Sequence, residues 1–176
     1  ESLLDEDPGL RLVAYRALRA AGVPIVPMAR MVARDSDPAL RREVAISLRD
    51  APWSEIDDIV IELARRLDGN DRVAVEAFGI ACDGKEAEAY SALAQAFGGL
   101  PANWDDRFAA IAWRLHPEGS LDGLAGRSMD RLLSRSQRRS AVDAIAFIPT
   151  EAAAKTMVEI ARSGPDDVRG LASWWV

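Results

Sequence analysis

The sequence contains one cysteine, Cys82, and one histidine, His116. A lone cysteine closes no internal disulfide and offers no thiolate cage for a metal. One of each also leaves no Cys-x-x-Cys-His haem motif. Lysine is almost missing, with two residues against twenty arginines. No run of about 18 apolar residues occurs, so no membrane-spanning helix is expected. Few segments alternate with the period of two that marks a half-buried strand. No secretory leader opens the chain. Glu1 and Trp174-Trp175-Val176 look like cut points, so residues 1–176 read as a single domain from a longer protein, of unassigned compartment.

Positive charge is also in deficit. The net charge is −6 and the pI about 4.9. An acidic chain lacks the basic surface that displaces counterions from nucleic acid, which counts against general DNA or RNA binding. The excess of arginine over lysine reads as a bias of a GC-rich genome and not as phosphate recognition.

What the sequence does hold is alanine, 31 of 176 residues. Alanine is the least costly residue in a helix and lets helices approach closely. Asp7-Pro8 is a helix start, with an N-cap aspartate before a first-turn proline. Leu10, Val13, Ala14, Ala17, Leu18 and Ala21 then share one helical face, and Gly22 is a stop. Thirty residues later the pattern returns: Asp-Pro-Gly-Leu-Arg (7–11) matches Asp-Pro-Ala-Leu-Arg (37–41), and Leu18-Arg19 matches Leu48-Arg49. Further starts fall near 71, 105, 136 and 165, with gaps of 29 to 34. Second helices sit between them. Ser54 with Asp57 resembles a capping box ahead of Ile56, Ile59, Val60 and Leu63. Glu86 to Phe97 and the segment after Thr150 follow, with Pro27 to Ala33 and Leu121 to Met129 as weaker partners. A helical hairpin cannot bury its apolar face alone, whereas stacked hairpins can. The expected architecture is all-α, an α-solenoid of about five to six hairpins.

The Asp-Pro-x-Leu-Arg start and the helix ending in Leu-Arg resemble HEAT repeats of the short bacterial kind over nearly the whole chain. A narrower resemblance lies in residues 68–86, 110–120, 141–149 and 168–176. They are similar to the helical region of large exported planctomycete-type proteins, between a sugar-dehydrogenase-like propeller and a c-type cytochrome domain. That resemblance implies a structural middle segment in an exported or periplasmic oxidoreductase, with its redox chemistry outside these residues.

Candidate sites compete with structural readings. His116 precedes Pro117 at a helix end, where a cation suits the dipole, and no partner is implied by spacing. Cys82 ends an apolar face and reads as a small hydrophobe. The Asp-Asp doublets at 57–58, 105–106 and 166–167 fall where negative charge favours helix starts. Asp68-Gly-Asn70-Asp71 begins like a calcium loop, but Arg72 and Gly79 occupy the next required positions. Gly119, Gly123 and Gly126 follow no strand, so they form a loop or a closely packed short helix and not a dinucleotide fingerprint. Arg127, Arg131, Arg135, Arg138 and Arg139 make the one basic run, either a solvated segment or a contact for an acidic partner. Trp53 and Trp104 precede helices, and Trp113 neighbours an apolar face. Of Trp174 and Trp175, one is expected to pack inward and the other to stay exposed.

No catalytic residue, metal site or cofactor is therefore expected. The first functional expectation is a non-catalytic protein-interaction or scaffold module. Its partner is a protein or a neighbouring domain of the same parent chain. Contacts are expected at Trp104, Arg107, Arg131, Arg135, Arg138, Arg139, Trp174 and Trp175, on a concave surface usually lined by second helices. An enzyme reading remains in a faint echo of HEAT-like DNA glycosylases at Trp104, Asp105 and Arg107, against which the acidic charge stands.

Overall fold

A computed structural model of the chain describes residues 2–97 and 100–176; Glu1, one of the suggested cut points, lies outside them. Among the described residues the fold is all-α, with eleven α-helices and no strand. The helices are α1 (Pro8–Ala20), α2 (Ile25–Val32), α3 (Pro38–Ser47), α4 (Trp53–Arg65), α5 (Arg72–Ala81), α6 (Glu86–Phe97), α7 (Asp106–Leu115), α8 (Leu121–Met129), α9 (Arg135–Ala146), α10 (Glu151–Ser163) and α11 (Asp166–Trp175).

Side-chain capping sets the starts of α1, α3, α5, α7 and α9, while α11 starts behind Pro165 without one. Asp7, Asp37, Asp71 and Asp105 each accept a backbone N–H of the first turn through the side chain. The α9 cap is Ser134, two residues before the expected Ser136, and it forms a reciprocal capping box with Gln137. The box expected at Ser54 and Asp57 does not form: α4 begins at Trp53 behind Pro52, without a side-chain cap. Proline fixes the entry there by its own restricted φ.

Each odd-numbered helix packs on the next odd-numbered one, from α1 through α11. Among the even-numbered helices, α2 meets α4, α4 meets α6, and α8 meets α10. Between these rows lies one contiguous apolar cluster, including Leu40, Ile56, Phe78, Leu93, Ile111 and Ile145.

The repeat in sequence is not a repeat in environment. Leu40 is fully buried, while Leu10, its match in α1, is 54% exposed. Val13 and Ala17 are exposed as well; Ala14 and Leu18 of the expected stripe face the core, joined there by Leu12 and Tyr15. The cause is position in the row. α3 is flanked by α1 and α5, whereas among the described residues α1 packs mainly on α3 and a short 3-10 turn (Ser2–Leu4).

Arginine joins successive helices. Arg11 pairs with Asp35, Arg30 with Asp58, Arg34 with Glu62, Arg49 with Asp83, Arg114 with Glu76 and Arg138 with Asp167. Most of these partners lie 24 to 34 positions apart in the chain. Whatever the genome bias, guanidinium forks have a structural use here, because they grip carboxylates in two places.

Candidate functional site

A groove of about 700 Å³ crosses α5, α7 and α9. Its walls are Arg72 and Val75 of α5, Ala109, Ala110 and Trp113 of α7, and Ser136, Gln137, Ser140 and Asp143 of α9. Leu124 and Arg127 of α8 line it, with Gly69 and Asn70 from the loop before α5. The lining thus comes mainly from first helices, not from the second helices usually expected. Small residues at 109, 110, 136 and 140 leave the depression open.

Close backbone approach shapes one end. A Cβ on Gly69 would lie 2.6 Å from the backbone oxygen of Asp106, so the 68–71 loop sits directly on the start of α7. The Arg72 guanidinium lies 4.5 Å from the centre of the Trp113 ring. Arg72 also donates to Glu76 at 2.7 Å, and Arg114 donates to the same carboxylate at 2.6 Å. Burial pushes Glu76 upward, but these two guanidinium hydrogen bonds prevail and hold it below its ordinary value.

Behind the groove stands an aromatic cluster. Trp104 meets Phe108 edge-on at 4.9 Å, and Tyr90 stacks on Phe108 at 5.8 Å. Arg127, only 2% exposed, lies 5.7 Å from the Trp104 ring. Its Nη1 donates to the carbonyls of Pro101 at 2.6 Å and Trp104 at 3.3 Å. Burial lowers the Arg127 pKa from its usual value, though an arginine remains cationic at neutral pH. It has no salt bridge among the described residues. The glycine series resolves into the closely packed short helix: a Cβ on Gly123 would lie 2.6 Å from Trp104 Cη2.

A second aromatic row follows the C-terminal ends of α7, α9 and α11. Trp113 meets His116 at 5.9 Å, His116 stacks on Phe147 at 5.1 Å, and Phe147 meets Trp175 at 5.6 Å. Trp175 donates through Nε1 to Asp143 at 3.1 Å, which ties this row to the groove. His116 adopts a left-handed conformation at φ 49°, and its buried Nδ1 has no hydrogen-bond partner. Burial lowers its pKa from the ordinary imidazole value.

The expected contact residues fall in four groups. Trp104 is buried and presents a partner no surface; it packs as a core residue because Phe108, Gly123 and Arg127 close around it. Arg107, Arg138 and Arg139 are committed within the chain. Arg107 pairs with Asp105 at 2.6 Å, Arg138 pairs with Asp167 at 2.8 Å, and Arg139 donates to the Asp167 carbonyl at 3.2 Å. Arg131 and Arg135 are exposed and have no ion pair among the described residues. Trp174 is 73% exposed and Trp175 36%, so Trp175 is the inward member of the pair. The structure does not bring these eight residues together at one site.

Cys82 is buried, and burial pushes its thiol up to about 12. Among the described residues no group of three or more His, Cys, Asp or Glu is placed to hold a metal ion. No helix is long and apolar enough to cross a membrane. Comparison with protein-family models, curated proteins and solved structures finds no match to the chain.

Sequence reasoning missed Trp113, Asp143 and the special status of Arg127. A signal for Arg127 was present. Arg11, Arg41 and Arg138 each lie four residues after a cap, at Asp7, Asp37 and Ser134. After the caps Asp71 and Asp105 the same position holds Val75 and Ala109, and both line the groove.

Proposed function

We propose that the chain is a HEAT-like α-solenoid of five helical hairpins and a closing helix, acting as a non-catalytic interaction module. Its ligand is an extended polypeptide segment, from another protein or from a neighbouring domain, lying across α5, α7 and α9. The observation that carries this reading is the open groove, which joins a Trp113 wall to small and hydroxyl-bearing residues. Aromatic anchors beside adaptable polar groups are what protein contact surfaces favour. The serial contacts within each row and the six spaced first-helix starts support the repeat assignment.

A pool of fluorescent heptapeptides with randomised sequence tests the reading by polarisation. Ala109 lines the groove, so Ala109→Phe fills it from within. Saturable binding by the parent chain, lost in a folded Ala109→Phe variant, is expected. Equal binding by both chains, or none by either, contradicts it.

A further inference from the structure

Four arginines in this fold, Arg11, Arg41, Arg127 and Arg138, donate through Nη1 to carbonyls just before a helix cap. Arg11 and Arg138 also grip a carboxylate, whereas Arg41 Nη2 reaches the Arg66 carbonyl at 3.4 Å. Arg11 Nη1 donates to the carbonyls of Asp5 at 2.8 Å and Glu6 at 3.1 Å, just before the Asp7 cap. Its other edge, Nε and Nη2, grips the Asp35 carboxylate with two bonds of 2.7 Å. Arg138 repeats this at α9. Its Nη1 donates to the carbonyls of Leu133 and Asp130, one and four residues before the Ser134 cap. Its Nε and Nη2 reach Asp167 at 3.0 and 2.8 Å.

Arg127 reproduces the first half of that pattern at α7. Its Nη1 donates to Trp104 and Pro101, one and four residues before the Asp105 cap. It comes from α8 because the α7 position itself is Ala109. The second half is missing. Nε and Nη2 of Arg127 find no acceptor among the described residues, and the side chain lines the groove. Asp106 is near enough to act on Arg127 through space but forms no ion pair with it; its Oδ1 accepts Gln137 Nε2 at 3.4 Å. A nearly enclosed guanidinium with an unused two-donor edge matches an oxyanion, and the carboxylates that Arg11 and Arg138 hold with the same edge favour a carboxylate.

We infer that the groove contains a carboxylate-binding subsite, in which Arg127 offers Nε and Nη2 to a ligand as Arg11 and Arg138 offer theirs to Asp35 and Asp167. The carboxylate is a side chain of a bound peptide or belongs to a free organic acid. The subsite itself does not depend on the peptide reading above. Ser136 stands two residues after the α9 cap, as Asp167 stands two after Pro165, and it lines the groove. Ser136→Asp therefore supplies the missing carboxylate from within.

The test uses the full chain labelled with nitrogen-15. Arginine side-chain Nε–H signals are followed during titration with sodium benzoate and with its neutral isostere benzamide. The Arg127 signal is assigned by its loss in Arg127→Lys. Benzoate is expected to shift that signal saturably and to bind about tenfold or more tightly than benzamide, as a charged hydrogen-bonded pair requires. Ser136→Asp is expected to weaken benzoate by about tenfold or more with the fold intact. Two heptapeptide pools, with glutamate or glutamine at the centre, then separate the sources. Preference for the glutamate pool places the carboxylate on a peptide. Benzoate binding with neither pool bound keeps the subsite and overturns the peptide reading. An unmoved Arg127 signal overturns the subsite, even where both pools bind equally. Unchanged benzoate affinity in Ser136→Asp overturns it too.

Discussion

Two glycines of one helix provide a controlled test of the packing behind the groove. Gly123 and Gly126 both lie inside α8, so alanine brings each the same intrinsic helical gain, about 0.8–1 kcal/mol. Their surroundings differ. A Cβ at 126 meets nothing within 4 Å, whereas one at 123 would lie 2.6 Å from Cη2 and 2.9 Å from Cζ2 of the buried Trp104 ring. That ring cannot retreat freely, because Phe108 and Arg127 stand against it. Overpacking of this kind costs about 1–3 kcal/mol. Gly126→Ala is expected to stabilise by about 0.8–1 kcal/mol, and Gly123→Ala to fall below it by about 1–3 kcal/mol. For a chain of this size each kcal/mol moves the melting temperature by about 2–4 °C. Thermal unfolding followed by far-UV circular dichroism should thus separate the variants by about 2–12 °C. Equal melting temperatures would refute the close approach of α8 to Trp104.

Other outcomes follow from single side chains. The guanidinium of Arg11 holds Asp35 below its ordinary carboxylate value. Its contribution is therefore present above the unfolded value of about 4 and is lost as pH falls through the lower folded value. Asp35→Asn should melt earlier than the parent at pH 7 and alike in strong acid. His116 acts in the same direction, at a higher pH. Burial lowers its pKa, so the folded state binds fewer protons, and stability falls as pH drops below the unfolded value of about 6.5. His116→Asn, which tolerates the left-handed conformation, should flatten stability between pH 7 and pH 5 in urea titrations. Cys82, with its thiol at about 12, should resist a maleimide in the native chain and react once urea unfolds it.

Much of the fold was legible because it rests on local chemistry. Asp7-Pro8 and Asp37-Pro38 are helix starts by cap and φ alone, and α6 and α8 run over the expected residues. Where a helix end depends on a neighbouring turn, local signals were less decisive. Ser134 and Ser136 both precede plausible first turns, and only the reciprocal bonds with Gln137 select Ser134. Burial of α1 was misread for a related reason. Leu10 and Leu40 are equivalent in sequence, and only the row of helices distinguishes them.

The groove was less legible because it arises from absence. Ala109, Ala110, Ser136 and Ser140 are unremarkable singly, and only three helices together turn their small size into space. Burial was equally hard to read. Trp104 precedes a helix, and its burial depends on Gly123 approaching from nineteen positions later. The arginine run looked uniform, yet Arg127 is enclosed, Arg131 and Arg135 are open, and Arg138 and Arg139 hold Asp167.

Binding across α5, α7 and α9 is tested most directly by mapping backbone amide shifts. The nitrogen-15-labelled chain would be titrated with the tightest member of the heptapeptide pool. Shifts concentrated at Asn70, Val75, Ala110, Trp113, Gln137 and Ser140 are the predicted result. Shifts confined to the exposed Trp174 end, with the groove unmoved, would contradict it.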